Sequence, residues 1–204
     1  MGAKATFYSY GDCAVMPLTR PKKVPTANLA QGSSFLTSLP AGSVLQVVHR
    51  DYNPLFSTSS TSFVDITNFN VTITPSSTSS KIFLSIHTTM STASGHSDIR
   101  LTRSIGGATA TTTGFIGTNE LGSRTASTFH QYTHPSFNTT WDMPVKSITF
   151  LDSPNTTSAV VYQLQGGVPY SATYTLYINR QSSDASASYS ARNRSSMTAM
   201  EIKG

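Results

Sequence analysis

The chain has 204 residues, which suits one domain or one domain with an arm and excludes two full enzyme domains. Only 11% of residues are charged while 32 Ser and 30 Thr supply a hydroxylated surface, and the 37% hydrophobic content includes ten Phe and nine Tyr, too many for a disordered polymer. The formal net charge is +5, but residues 1–42 hold Lys4, Arg20, Lys22 and Lys23 against Asp12 alone, so the start of the chain is basic and the remainder nearly neutral.

Such a slim core predicts that part of the apolar burial comes from partner subunits, because stability is a small surplus over conformational entropy. Scattered Lys and Arg in the body argue against a nucleic-acid stripe with interleaved aromatics. Cys13 is the only cysteine, which rules out an intrachain disulfide framework and a zinc site built on thiolates. The first twenty residues show no signal-peptide core and no stretch approaches a membrane helix, so the expectation is a soluble protein made in the cytosol, without membrane association. Gly2 and Thr6 fit a myristoylation pattern, but nothing nearby supplies a second membrane signal.

Residues 1–42 contain Pro17, Pro21, Pro25 and Pro40 and no sustained hydrophobic period. They read as an extended N-terminal arm, since proline fixes φ and pushes its predecessor toward extended geometry. A mobile terminus fits the composition equally well. In the arm reading Arg20, Lys22 and Lys23 steer docking, and Phe7, Tyr8 and Phe35, with Val15, Met16 and Leu18, are buried on the partner.

From Ser43 the period becomes two. Predicted strands cover Val44 to His49, Ser62 to Ile66, Phe69 to Ile73, Ile82 to Ile86, Ile99 to Thr102, Val145 to Leu151, Ala159 to Gln165, Thr173 to Asn179 and Ser196 to Ile202. The turn signal Asp152-Ser153-Pro154-Asn155 predicts a hairpin between the Val145 and Ala159 strands. Apolar residues at helical spacing are missing and β-branched residues dominate, so long helices are not expected. Residues 43–204 therefore read as an all-β, antiparallel β-sandwich of jelly-roll type, with a Greek-key immunoglobulin-like sandwich as the alternative. Gly106 to Asn138 and Gln181 to Arg194 read as polar loops, or as strands too polar to recognise, where partners would be contacted.

No catalytic, cofactor-binding or metal site is assigned from the sequence. His130 and His134 are four apart, but on a strand that spacing spans about 13 Å, too far for one metal. A metal shared among subunits on a symmetry axis is the one route left open for them. GHSDI, from Gly95 to Ile99, starts like a nucleophile elbow and fails at its last position. The nine carboxylates are dispersed, with no local pair of the glycosidase kind. Phosphate-binding loops and dinucleotide fingerprints are missing. Four sequons begin at Asn70, Asn138, Asn155 and Asn193, about as many as chance gives in a chain this rich in Ser and Thr.

The segments LDSPNTTSAVVYQLQ (Leu151 to Gln165), YTLYINR (Tyr174 to Arg180) and RNRSSMTAMEI (Arg192 to Ile202), with STSFVDI (Ser60 to Ile66) and VTITPSSTSSKIFLSI (Val71 to Ile86), follow one another in an order that resembles small structural proteins of tailed bacteriophages, especially marine and cyanobacterial ones. The resemblance covers about residues 44–204. It implies a non-enzymatic virion surface component with a β-sandwich body that assembles as a homotrimer. Capsid decoration, with the arm anchored on the major capsid protein or another virion protein, is the preferred expectation. A tail-fibre or receptor-binding module recognising host surface glycans is the alternative, and aromatic side chains clustered at a pocket would favour it. The last strand fits an interface, since Thr198, Met200 and Ile202 take one face and Met197, Ala199 and Glu201 the other, leaving methionine on both.

Overall fold

A computed structural model describes residues 38–112, 114–117, 123–134, 136 and 141–204. Contacts divide the chain into two units, Met1–Ser38 and Leu39–Gly204, and the second carries all the regular structure described here. Its strands are β1 (Val44–Tyr52), β2 (Phe56–Thr58), β3 (Val64–Ile73), β4 (Lys81–Ser91), β5 (Gly95–Ile105), β6 (Phe129–Thr133), β7 (Val145–Asp152), β8 (Val160–Gly167), β9 (Leu176–Ile178) and β10 (Ser195–Ile202). No described helix is long and apolar enough to cross a membrane.

The strands form two antiparallel sheets packed into a β-sandwich. In the first sheet the order is β1-β10-β4, and the far edge of β4 is shared: β7 pairs along Ile82 to Thr89, and β9 takes Met90 and Ser91, with β2 beyond it. The second sheet runs β3-β8-β5-β6. Period-two alternation drives both sheets. On β4, Ile82, Leu84 and Ile86 are fully buried while Lys81 and His87 on the other face are exposed, and β8 repeats the pattern with Val160, Tyr162 and Leu164. Ile66, Phe69, Val71 and Ile73 from β3, Ile99 and Leu101 from β5, and Met197 and Ala199 from β10 complete the layer, where Tyr52 and Phe69 stack at 4.3 Å.

The predicted hairpin between the Val145 and Ala159 strands does not form. β7 pairs with β4 in the first sheet and β8 with β3 and β5 in the second, so the DSPN turn carries the chain between sheets. A turn signature reports a reversal of direction and is silent about which neighbour each strand then chooses. The two strands predicted at Ser62 to Ile66 and Phe69 to Ile73 are one, β3, interrupted by a bulge: Asn68 has φ 63°, and the register with β8 shifts between Asp65 and Asn70. Gln163 fills the irregularity, its Nε2 donating to the carbonyls of Ile66 (2.9 Å) and Phe69 (3.3 Å). The strand predicted over Thr173 to Asn179 shortens to Leu176–Ile178, with Tyr174 in the preceding turn, where its N–H donates to Ser171.

Two buried polar clusters hold the ends of the sandwich together. Asn179, at φ 63° and fully buried, accepts from Thr89 and Ser195 hydroxyls and donates to the carbonyls of Tyr52 and Pro54. Glu201, 1% exposed, accepts at Oε1 from Ser76 N, Ser76 Oγ and Ser80 Oγ, each at 2.7 Å, and at Oε2 from Gln46 Nε2 at 2.6 Å. Burial alone would push this carboxyl up, but the donors from Ser76, Ser80 and Gln46 outweigh it and hold the group below the usual glutamate range.

Candidate functional site

Strands β5 and β6 pair so that His96 faces Tyr132 and Asp98 faces His130. Alternation then places all four side chains on one face of the hairpin. The loop after β8 brings Tyr170 and Tyr174 to the same place, their rings stacked at 6.0 Å. The His96 ring lies 4.6 Å from Tyr132, 5.0 Å from Tyr170 and 5.4 Å from His130, measured between centroids. Tyr170 is 73% and Tyr132 47% exposed. A pocket of about 390 Å³ opens here, lined among the described residues by His96, Asp98, His130 and Tyr170 on one side and by residues from the segment Ser123 to Ser127 on the other.

Local backbone explains the seat of Tyr174. Gly95 has φ +76°, a left-handed conformation that side chains disfavour, and a Cβ there would come within 2.2 Å of the Tyr174 ring. The absence of a side chain lets the ring lie against the start of β5.

Asp98 is the anchor. Its side chain is 4% exposed, and His130 Nδ1–H donates to its Oδ1 at 3.0 Å. That bond places a ring proton on Nδ1, and Nε2 on the other side of the ring accepts a hydrogen bond from His96 Nδ1–H at 3.4 Å. A hydrolase triad would aim this nitrogen at a nucleophile; here it faces a second imidazole. Aromatic faces, two ring nitrogens and hydroxyls around an open pocket form a surface suited to binding a polyhydroxylated ligand.

A second feature lies on the outer face of the first sheet. Val47 pairs with Met200, Met200 with Phe83 and Phe83 with Leu151, so four apolar side chains cross β1, β10, β4 and β7 in one row. Val47 is 54% and Leu151 60% exposed. The next row, His49, Thr198, Ser85 and Thr149, is polar but uncharged apart from the histidine. The second sheet differs, since Arg100 donates to Gln165 and Gln165 to Asp65 in a polar ladder. A further pair of exposed aromatics, Trp141 and Tyr189, meets edge to face at 5.0 Å.

The sequence-predicted partner-binding residues Phe7, Tyr8, Arg20, Lys22, Lys23 and Phe35 lie outside the described residues. The pair weighed in the sequence, His130 and His134, is not brought together as ligands: His134 Nδ1 accepts from Ser136 N, while His130 meets His96. Among the described residues no group of three or more His, Cys, Asp or Glu side chains is arranged to hold a metal. His96, Asp98, Tyr132, Tyr170 and Tyr174 escaped the sequence reading because their convergence depends on the β5–β6 register and on a loop dozens of residues downstream. The density of His and Tyr in HQYTH and VPYSATY was the available signal.

No family model matches the chain, and no curated protein matches it either.

Proposed function

We propose that this protein is a non-enzymatic structural component of a bacteriophage virion surface whose sandwich recognises glycans at the His96–Tyr170 pocket. The observation that carries the glycan reading is the exposure of two rings against His96: Tyr170, which lines that pocket, and its neighbour Tyr132. A sugar ring offers apolar C–H faces to an aromatic platform and hydroxyls to the rim, a combination that the pocket's tyrosines, imidazoles and serine and threonine hydroxyls match. The virion assignment is supported by the ordered sequence segments between residues 44 and 204.

The jelly-roll reading of the sandwich is supported by strand pairing. Setting aside the short β2 and β9, β1 pairs with β10, β3 with β8, β4 with β7 and β5 with β6, so the first four long strands pair in reverse with the last four. That is the pattern of one long antiparallel ribbon rolled into two sheets.

Capsid decoration is the second reading, and the apolar row Val47–Met200–Phe83–Leu151 favours it. Such an apolar row suits contact with further copies of the same chain in a homotrimer. In this reading the basic arm anchors the trimer on the major capsid protein or another virion protein.

Glycan-array binding by the wild type and by Tyr170→Ala tests the pocket. The expected result is saturable binding to a defined set of host-surface glycans, weakened about five- to tenfold by the substitution, since loss of one stacking ring is worth roughly 1 to 1.5 kcal/mol. Binding that is absent, or indifferent to Tyr170, overturns the glycan reading.

A further inference from the structure

We propose that His96 and His130 form a binding site for one divalent transition-metal ion of the zinc or copper class, with Asp98 as the outer-shell carboxylate. The inference concerns the same pocket but rests on its imidazole geometry, not on glycan recognition.

Three observations converge. The first is distance: a tetrahedral centre with metal–nitrogen bonds of about 2.0–2.1 Å places two imidazole nitrogens about 3.3 Å apart. His96 Nδ1 and His130 Nε2 are 3.4 Å apart, joined by a hydrogen bond whose proton the metal ion would displace. The second is tautomer: Asp98 takes the Nδ1–H of His130, which leaves Nε2 as the lone-pair donor on the side of His96. A carboxylate behind a ligating histidine is the usual arrangement that orients the ring and raises its basicity. The third is access. His96, Asp98 and His130 all line the same open pocket, so an ion from solvent can reach the two ring nitrogens.

The ligand class follows from the donors. Two imidazoles suit zinc, copper or nickel, whereas calcium and magnesium demand oxygen. Strands β5 and β6 pair from Gly95 opposite Thr133 to Ile99 opposite Phe129, so both ligands stand on one hydrogen-bonded hairpin. Because only two protein side chains converge, the remaining coordination positions face the pocket and are open to oxygen donors from solvent or from a bound ligand.

The test uses the full chain, stripped with EDTA and desalted, and titrated with zinc chloride by calorimetry and with copper chloride by electron paramagnetic resonance, with no glycan present. One saturable site per chain and copper hyperfine structure from two imidazole nitrogens are expected. His96→Ala and His130→Ala should each weaken zinc binding at least tenfold, and Asp98→Asn ten- to a hundredfold. The double variant His49→Ala/His87→Ala, remote from the pocket, should bind as the wild type does. Circular dichroism melting checks each variant's fold; where an alanine variant fails to fold, His96→Gln or His130→Gln takes the place of the alanine at the same position, and Asp98→Ser that of Asp98→Asn. Absence of saturable binding, or binding that survives loss of His96, overturns the proposal. Glycan binding measured in EDTA is a separate readout: if it persists while zinc fails to bind, only the metal site falls.

Discussion

Replacing Glu201 by Gln isolates the charge of the buried carboxylate that closes one end of the sandwich. The amide is nearly isosteric, and its oxygen can still accept from Ser76 N, Ser76 Oγ and Ser80 Oγ. It cannot accept from Gln46 on its other side, because the new NH₂ meets the Gln46 NH₂; rotating the Gln46 amide to answer it would forfeit the bond from Gln46 Nε2 to the Thr74 carbonyl at 2.7 Å. Three charge-assisted bonds become neutral ones, at a loss of about 1 kcal/mol each, and one further bond of about 1 kcal/mol is lost. The amide's lower desolvation cost offsets part of this, leaving a net loss of about 2–3 kcal/mol. Thermal melting at pH 7 should therefore fall by about 4–12 °C for a chain of this size. The pH dependence gives a second signature. A carboxyl held below its ordinary value stabilises the fold fully above the unfolded value of about 4.3, and that contribution is lost as pH falls through the lowered folded value. Wild type should lose stability steeply on the acid side and Glu201→Gln much less so. A variant that melts within 1 °C of wild type, or that keeps the same acid slope, refutes this account of Glu201.

Other substitutions test other parts of the structure. Ser97 Oγ is buried without a hydrogen-bond partner among the described residues, so Ser97→Ala should leave stability equal or raise it by about 1 kcal/mol in urea denaturation; a loss of more than 1 kcal/mol contradicts this. Gly95→Ala combines a left-handed φ with a collision against Tyr174, and should cost about 2–4 kcal/mol in the same assay and abolish glycan retention. Tyr162 donates to Asp152 Oδ2 at 2.7 Å beside Arg103, so Tyr162→Phe should lower stability by about 1.5–3 kcal/mol, and a neutral outcome would show that solvent replaces the bond. Val47→Asp with Leu151→Asp should convert a self-associated species to monomer by light scattering at micromolar concentration, while unchanged mass would remove the apolar row as the interface.

Strands buried on one face were legible because period two survives in single sequences. Ile82, Leu84 and Ile86, and Val71 with Ile73, announce their burial by alternation. The short β2 and the polar β6, whose FHQYT sequence opens on Phe129 and continues with polar or amphipathic residues, give no such signal. Pairing was less legible than strand location. The β7–β8 hairpin was inferred from a turn signature, yet both strands found partners elsewhere, since sheet choice depends on nonlocal packing that a turn does not encode. The pocket was the least legible part. Asp98 and His130 are 32 residues apart and become a pair only through the β5–β6 register, while Tyr170 and Tyr174 arrive from the β8–β9 loop. His130 was weighed against its sequence neighbour His134, when its spatial partner is His96.

The most direct test of glycan recognition is a ring-resolved NMR titration, in EDTA, with the best glycan from the array. Aromatic protons of His96, Tyr132 and Tyr170 should shift together along a single saturation curve, while Val47 and Leu151 methyls on the outer sheet face stay unmoved. Shifts confined to Trp141 and Tyr189, or none with any glycan, would contradict the assignment of the pocket.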